Sequence, residues 1–331
     1  MERADSEFVA RVDVDDICEP NRLGRQLEFM LKNKDIVVLG AQAAVFRNAD
    51  EEKESQESLS FVAHNIPTHP VLVSWEMMFR CALVHPTAML RRSAVLQCGG
   101  YCNAVDDNSN MEILPKYIED YYLWSRVLSR LIEIRNPLVC LYFFFLRENI
   151  CCRYPCSIAN LPDVLLRLRV HNQSKSKIEA IENKTSAKIL QKEMFTRLLR
   201  ISKQNIEWEE ATLDSIQGSC LVTASTAVSS LLLLREIMSI FWGVYCKGSL
   251  REDANDDIQR MLLQLLNHSL ERREREILKA LASNIVNWEE EIRYQVSHSR
   301  HPNINCVLHA IEKFKNSQVS SFKDALIKRL L

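Results

Sequence analysis

The pattern of apolar and polar positions changes near residue 176, and this change divides the chain in two. Ahead of it, short apolar runs bounded by polar residues, proline or glycine predict β-strands that alternate with helices. Beyond it, apolar residues recur at helical spacing in one long segment after another. The sequence therefore predicts an α/β fold with flanking helices over residues 1–176, followed by a mostly α-helical region over residues 177–331.

Two predicted strands and a helix open the chain. The apolar residues around Phe8 are typical of the end of a buried strand, and the run from Asp35 to Leu39 predicts a second strand. Gly40 stops this run, and the alternative is that residues 41–47 continue the strand. Between the strands we expect an amphipathic helix that begins at Pro20 and ends near Asn33. Its apolar positions are Leu23, Leu27, Phe29, Met30 and Leu31.

Three further elements are expected before residue 176. Met89 and Leu90 predict a short strand, and residues 93–98 predict a helical turn. Gly99 and Gly100 close that turn, because a left-handed C-cap is unstrained for glycine. Residues 121–132 predict a longer helix, since their apolar side chains fall on one face.

The second half of the sequence is helical in pattern from residue 178 onward. One apolar stripe has the spacing of a helix that faces the core of a bundle: Ile258, Met261, Leu262, Leu265 and Leu266. Residues 277–286 and 307–330 repeat the pattern. We found no cluster of catalytic residue types here, and the region is expected to serve as a packing or protein-interaction module.

Residues 137–159 differ in composition and periodicity from the sequence around them. They contain three consecutive phenylalanines and four of the eleven cysteines, without a helical period. Removing them joins two stretches that would continue sensibly, so we predict an insertion, such as a translated intron. A zinc site at Cys151, Cys152 and Cys156 is disfavoured because no complementary pair of ligands lies nearby.

Composition excludes several classes of protein. A net charge of −1 disfavours a nucleic-acid partner. The apolar runs are short or interrupted by charges, so no membrane span is expected. Seven glycines in 331 residues favour a high helix content. Eleven cysteines without a secretory signal predict reduced thiols and a cytoplasmic location.

An acidic stretch directly follows the first predicted strand. Asp13 and Asp15 would leave the strand end on the same side, and Asp16 follows at once. Neighbouring carboxylates repel each other unless a cation lies between them, and their oxygens suit Mg²⁺ or Mn²⁺. The alternative is an acidic helix N-terminus, which explains Asp16 and Glu19 better than the other two. The residues alone leave both interpretations open.

Four motifs then occur in order: DVDD at residues 13–16, HPTAMLRR at 85–92, IEDYYLWSR at 118–126 and LRVHNQSKS at 168–176. Together they resemble the family-2 glycosyltransferases of the GT-A fold, over about residues 7 to 176. The resemblance implies a partial GT-A, Rossmann-like sheet in this part of the chain. The helical second half resembles no family that we can name.

On the donor side, the resemblance implies a nucleotide-diphosphate sugar, expected to be a UDP-sugar. Asp13 would contact the ribose or metal side, and Asp15 would bind the Mn²⁺ or Mg²⁺ held on the diphosphate. His171 resembles the family's late histidine, as a metal ligand or hydrogen-bond donor near the diphosphate, and Arg169 would add positive charge there. Without the resemblance, a single histidine after a strand is more often structural.

On the acceptor side, the resemblance implies a general base that removes the proton of the acceptor hydroxyl. Asp120 is the first choice and Glu119 its neighbour, although an acidic pair at a helix start is also explained by the helix dipole. His85, Pro86 and Thr87 resemble a strand that lines the acceptor pocket.

The family also implies a βαβ unit ahead of the acidic motif, whereas seven residues precede the motif strand here. We therefore expect an N-terminally truncated member. The predicted activity is metal-dependent, inverting transfer of a hexosyl or N-acetylhexosaminyl group to an unknown acceptor. The alternative is a non-catalytic remnant that acts through its helical half.

Overall fold

The computed structural model describes residues 3–46, 66–101, 118–135, 157–169, 180–201, 210–217, 222–243 and 256–330. The chain divides into two compact units, Met1–Arg197 and Leu198–Leu331. The division falls inside a helix rather than at residue 176, which lies outside the described residues. The reason is that the helix still packs on the first unit at Gln191, which donates to the carbonyl of Phe79 at 2.8 Å.

The first unit is built on a mixed five-stranded sheet with the order β1-β4-β3-β5-β2. Strands β3 and β5 pair in parallel, and the other pairs are antiparallel. The strands are β1 (Phe8–Ala10), β2 (Ile17–Cys18), β3 (Ile36–Phe46), β4 (Met89–Arg91) and β5 (Ser157–Arg169). The predicted α/β class is confirmed.

Helices flank this sheet. They are α1 (Arg22–Lys32), α2 (Pro70–Met77), a 3-10 turn (His85–Thr87), α3 (Arg92–Gln97), α4 (Glu119–Arg135) and α5 (Ala180–Ile201). One core cluster fills the space between α1 and the sheet, and includes Met30, Leu39, Ala159 and Leu165. Helix α3 ends at the predicted glycine pair, where both residues have positive φ.

The prediction that Gly40 stops its strand is wrong, because β3 continues through Gly40 to Phe46. Gly40 lies opposite Asn160 of β5. A Cβ atom on Gly40 would lie 2.2 Å from Asn160 Oδ1 and 2.9 Å from Leu83 Cγ. The amide nitrogen of Asn160 in turn donates to the carbonyls of Pro67 and Ala82. Glycine therefore admits a buried asparagine that ties three segments together.

Helix α1 has the predicted bounds but buries an unexpected face. Its buried residues are Arg22, Gln26 and Met30, whereas Leu23, Leu27 and Leu31 are exposed. The polar pair is buried because its hydrogen bonds are satisfied inside the unit. Gln26 Nε2 donates to the carbonyls of Leu39 and Thr87, and Arg22 donates to the main chain ahead of the acidic motif.

Three residues of the predicted insertion lie in the sheet. Ser157, Ile158 and Ala159 belong to β5 and pair with β3, so they are part of the sheet. Ile158 and Ala159 are also buried in the core. The remainder of the predicted insertion, residues 137–156, lies outside the described residues.

The second unit is helical, as predicted. It contains α6 (Glu210–Ile216), α7 (Ala224–Phe241), α8 (Asp256–Asn284), α9 (Trp288–His298) and α10 (Asn305–Leu330). Helix α7 packs against the other four. Arg235 of α7 forms a two-pronged ion pair with the buried Glu274 of α8, at 2.7 and 3.1 Å.

The predicted core stripe of α8 is only half correct. Leu262 and Leu266 are fully buried, but Ile258, Met261 and Leu265 are 44–51% exposed. The buried face of α8 instead continues along Leu270, Glu274 and Leu278. The apolar residues of α8 thus spread over more of the helix circumference than its partners in the unit cover.

Among the described residues, α7 is long and apolar enough to cross a bilayer by length and composition. However, 56% of that segment is buried against other parts of the chain. The core helix of a globular unit passes the same test, so this helix does not show a membrane span.

Gly40→Ala should lower the free energy of unfolding by about 1–3 kcal/mol, because the new methyl group overlaps Asn160. The matched control is Gly24→Ala in α1, where a Cβ meets nothing within 4 Å. That control should instead raise stability by roughly 0.5–1 kcal/mol, since alanine favours a helix. Urea unfolding measures both. Equal effects of the same sign would contradict the close approach of β3 and β5.

Candidate active site

The acidic motif forms the turn between β1 and β2. The strand ends at Ala10, and the amide of Asp16 donates to the carbonyl of Asp13 at 3.3 Å. The alternative of an acidic helix start is wrong, because α1 begins only at Arg22 and its first turn contains no acidic residue. Asp16 Oδ1 instead accepts from the backbone amide of Arg169, at 3.0 Å.

Arg11 forms an ion pair with the first aspartate of this turn. Its two terminal nitrogens contact the two carboxylate oxygens of Asp13 at 2.8 and 2.7 Å. Both side chains are partly exposed, so solvent screens the pair and its main effect is to fix geometry. The Asp13 carboxylate is therefore fixed in position by Arg11.

Arg169, at the end of β5, reaches the same turn. Its Nε donates to the backbone carbonyl of Asp15 at 2.9 Å. Its guanidinium lies over the ring of Phe46, 4.8 Å from the centroid. The antiparallel pairing of β2 with β5 brings this end of β5 to the turn. His171, two residues further along, lies outside the described residues.

The turn has the chemistry of a divalent-cation site. Asp16 Oδ2 is buried and has no hydrogen-bond partner among the described residues. Burial raises the pKa of the Asp16 carboxyl, and the charges of Asp13 and Asp15 add to the rise. A cation here would relieve that repulsion and satisfy the orphaned oxygen.

The protein would supply only part of the coordination. In the part of the chain that the structure describes, no three Asp, Glu, His or Cys side chains come close enough to hold a metal by themselves. Mg²⁺ is commonly held by one or two carboxylates together with waters and substrate phosphates. The turn therefore fits a cation that takes its remaining ligands from a phosphate group.

A buried arginine, Arg22, holds the acidic turn through hydrogen bonds. The sequence pattern did not identify it. Arg22 is 1% exposed. It donates to the backbone carbonyl of Arg11 at 2.6 Å, to Cys18 Sγ at 3.1 Å and to Gln26 Oε1 at 3.0 Å. Arg11 and Cys18 flank the acidic turn on either side, so one guanidinium joins both ends of it.

The predicted base, Asp120, lies in the first turn of α4. Its Oδ2 is 3.8 Å from Nδ1 of His85, and 23% of its side chain is exposed. Burial raises the pKa of Asp120 to about 6, and the neighbouring charge of Glu119 adds to the rise. A base of this pKa is ionised at neutral pH and still takes up a proton readily.

The predicted strand at residues 85–87 is wrong, because these residues form a 3-10 turn that precedes β4. Thr87 is fully buried, and its hydroxyl accepts from the amide of Ala41 and donates to the carbonyl of Val84. Pro86 is buried as well. His85 differs, since its ring faces Asp120. Burial, together with the positive charge of Arg11, lowers the pKa of His85 to about 3, so its ring is neutral.

Tyr101 completes the group around Asp120, and no motif in the sequence pointed to it. Its hydroxyl lies 2.8 Å from His85 Nε2. The positive φ angles of Gly99 and Gly100 turn the chain so that Tyr101 meets the histidine. Arg126 of α4 secures the turn by donating to the carbonyl of Gly100.

Arg11 connects the acidic turn to the base. Its guanidinium pairs with Asp13. The positive charge of the same group also lowers the pKa values of Asp120 and His85. The first unit thus contains the acidic turn, with Arg169 hydrogen-bonded to it, and the His85–Asp120 pair, and the charge of Arg11 acts on both places. A basic residue two positions before an acidic motif is the signal that would have identified Arg11.

Comparison with known proteins shows which families this sequence resembles. The family model of glycosyl transferase family 2 matches residues 1–99, which include the acidic turn and His85. The chain is 30% identical over 170 residues to an uncharacterised glycosyltransferase of Haemophilus influenzae, covering 51% of this chain and 46% of that protein. It is 28% identical to the O-antigen biosynthesis glycosyltransferase WbnJ of Escherichia coli, covering 51% of this chain and 50% of that protein.

The amylovoran biosynthesis glycosyltransferase AmsE of Erwinia amylovora is 27% identical, over 51% of this chain and 47% of that protein. The chain thus spans about half the length of these curated relatives. The N-terminal part of the chain, which holds the acidic turn, is thus similar to glycosyl transferase family 2.

Proposed function

We propose that the protein transfers a sugar from a nucleotide-diphosphate sugar to an acceptor hydroxyl, with inversion and with the help of a divalent metal. Similarity to glycosyl transferase family 2 supports sugar transfer in general. The observation that supports the finer proposal is Arg11, which pairs with Asp13 of the acidic turn and whose charge also lowers the pKa of Asp120. We infer that a donor bound at the turn and an acceptor beside Asp120 would be handled by the same unit.

The acidic turn is the proposed donor site. Asp15 and the buried oxygen of Asp16 are the groups proposed to hold Mn²⁺ or Mg²⁺, and His171 is a further proposed ligand. When bound, the metal would offset the negative charge that develops on the leaving diphosphate. Arg169 places positive charge at the same turn. A UDP-sugar is the proposed donor.

Asp120 is the proposed general base. As the acceptor oxygen forms a bond to the anomeric carbon, the bond from that carbon to the diphosphate oxygen breaks, and its electron pair leaves with the nucleoside diphosphate. The acceptor proton passes to Asp120. Direct displacement of this kind inverts the anomeric configuration. The raised pKa of Asp120 suits the task.

A second candidate function is a non-catalytic role through the helical unit. The observation that favours it is the set of exposed apolar side chains on α8, Ile258, Met261 and Leu265. This function predicts that the full chain, with Mn²⁺ present, binds no nucleotide-sugar in calorimetry.

Asp15→Ala and Asp120→Asn should each lower Mn²⁺-dependent turnover of a nucleotide-sugar by about 100-fold or more, since a metal ligand and a general base each contribute that much. The control is Asp163→Asn, which removes only a partly exposed pair with Arg25. That variant should keep its rate within about twofold. Release of nucleoside diphosphate measures all three, and equal rates in the three variants would refute the assignment.

The pH dependence of turnover should report the base. Asp120 acts only when ionised, so kcat/KM should rise as the pH increases through about 6. Glu119→Gln removes the adjacent negative charge, which lowers the pKa of Asp120 and moves this rise to lower pH. Glu28→Gln, on the exposed side of α1, is the control and should leave the profile unchanged. If Glu119→Gln abolishes turnover at every pH, Glu119 is the base instead.

A further inference from the structure

Tyr101 and His85 form a chain of groups that ends at the carboxylate of Asp120. The Tyr101 hydroxyl lies 2.8 Å from His85 Nε2. On the opposite side of the imidazole, Nδ1 lies 3.8 Å from Asp120 Oδ2. The second distance is too long for a hydrogen bond, but catalytic contacts are often long without substrate and shorten when it binds.

The protonation states of these groups restrict the chain to two forms. His85 is neutral, so only one of its ring nitrogens carries a proton. Burial raises the pKa of the Tyr101 hydroxyl, which therefore keeps its proton and can donate it. Either Tyr101 donates to Nε2 and Nδ1 carries the proton, or Nε2 donates to Tyr101 and the Nδ1 lone pair faces Asp120.

The ionised carboxylate of Asp120 selects between these forms. A lone pair on Nδ1 would face a negative oxygen at 3.8 Å, which is repulsive, whereas an Nδ1–H group is attracted to it. The other groups that act on Asp120 are Arg11, which favours its ionised form, and Glu119, which disfavours it. The buried thiol of Cys81 also faces Asp120 but remains protonated, since burial and the Asp120 charge raise its pKa.

The surrounding residues hold the imidazole in place. Trp124, one helical turn after Asp120, is fully buried and meets the His85 ring edge-on at a centroid distance of 6.0 Å. Tyr101 is fixed from the other side through the glycine turn that Arg126 secures. Helix α4 thus contributes the Asp120 carboxylate, Trp124, which packs against the His85 ring, and Arg126, which holds the turn before Tyr101.

We propose that Tyr101 and His85 are positioning residues for Asp120: the Tyr101 hydroxyl donates to Nε2 and holds His85 in the tautomer whose Nδ1–H faces Asp120 Oδ2. This inference rests on the proposed role of Asp120 as the base. With the acceptor bound, Nδ1–H engages Oδ2 and leaves the other carboxylate oxygen to take the acceptor proton. The neutral imidazole orients the base without supplying a full positive charge that would weaken it.

The tautomer can be measured in the unmodified full chain. Protein labelled with ¹⁵N at histidine should show His85 at pH 7 with a protonated Nδ1 and an unprotonated Nε2. The His85→Asn spectrum identifies the signal by its loss. A wild-type His85 with its proton on Nε2 would overturn the proposal, and this measurement needs neither a substrate nor an active enzyme.

Tyr101→Phe tests the consequence for Asp120. Without the hydroxyl, Nε2 loses the donor that polarises the imidazole, so the Nδ1–H group stabilises the ionised carboxylate less and the Asp120 pKa should rise. The ¹³C signal of the Asp120 carboxyl reports this titration directly. The matched control is Tyr294→Phe, because Tyr294 stacks on His298 at an exposed place in the second unit. That control should leave Asp120 unchanged.

Kinetics separate positioning from folding. Tyr101→Phe should lower kcat roughly tenfold below pH 7, with KM within about twofold and the acid side of the pH profile displaced upward. His85→Asn, whose amide can stand in for Nδ1–H, should retain more activity than His85→Ala. An unchanged Asp120 titration in Tyr101→Phe would refute the proposal. If wild type shows the expected tautomer and titration but turns over no nucleotide-sugar, the proposed function fails instead.

Discussion

The parallel pairing of β3 with β5 is the constraint on which the first unit depends. It joins segments more than a hundred residues apart, Ile36–Phe46 and Ser157–Arg169. Since β5 also pairs with β2, its far end delivers Arg169 to the acidic turn. The same pairing sets Asn160 over Gly40, where its amide binds the main chain on the other side. Both the core and the site therefore follow from this contact.

Charge is the second organising principle of the site. Arg11 brings positive charge to both groups of carboxylates, since it pairs with Asp13 of the acidic turn and lowers the pKa of Asp120 on α4. Arg22 lies beneath the turn with its donors engaged by the main chain, a thiol and an amide. This support explains why a helix with an apolar stripe buries its polar face. The hydrogen bonds that position the backbone of the turn come from the polar face of α1, and Leu23, Leu27 and Leu31 stay exposed on its other faces.

Local pattern predicted the elements well, because strands, helix ends and a glycine C-cap depend on neighbouring residues. The bounds of α1 and the glycine pair after α3 are examples. Pattern failed where a distant partner decides the outcome. Gly40 resembles a strand stop until Asn160 is seen to pack on it, and α8 carries more apolar residues than its unit covers. Within the site, resemblance identified the aspartates, but Arg11 and Tyr101 acquire their roles only through tertiary contacts.

The proposed function requires the acidic turn to bind the diphosphate of a nucleotide donor through a divalent cation. Calorimetric titration of the full chain with UDP, with and without Mn²⁺, measures this binding. We expect binding that requires Mn²⁺ and is lost in Asp15→Ala. Absence of binding in the presence of Mn²⁺, or equal binding by wild type and Asp15→Ala, would contradict it.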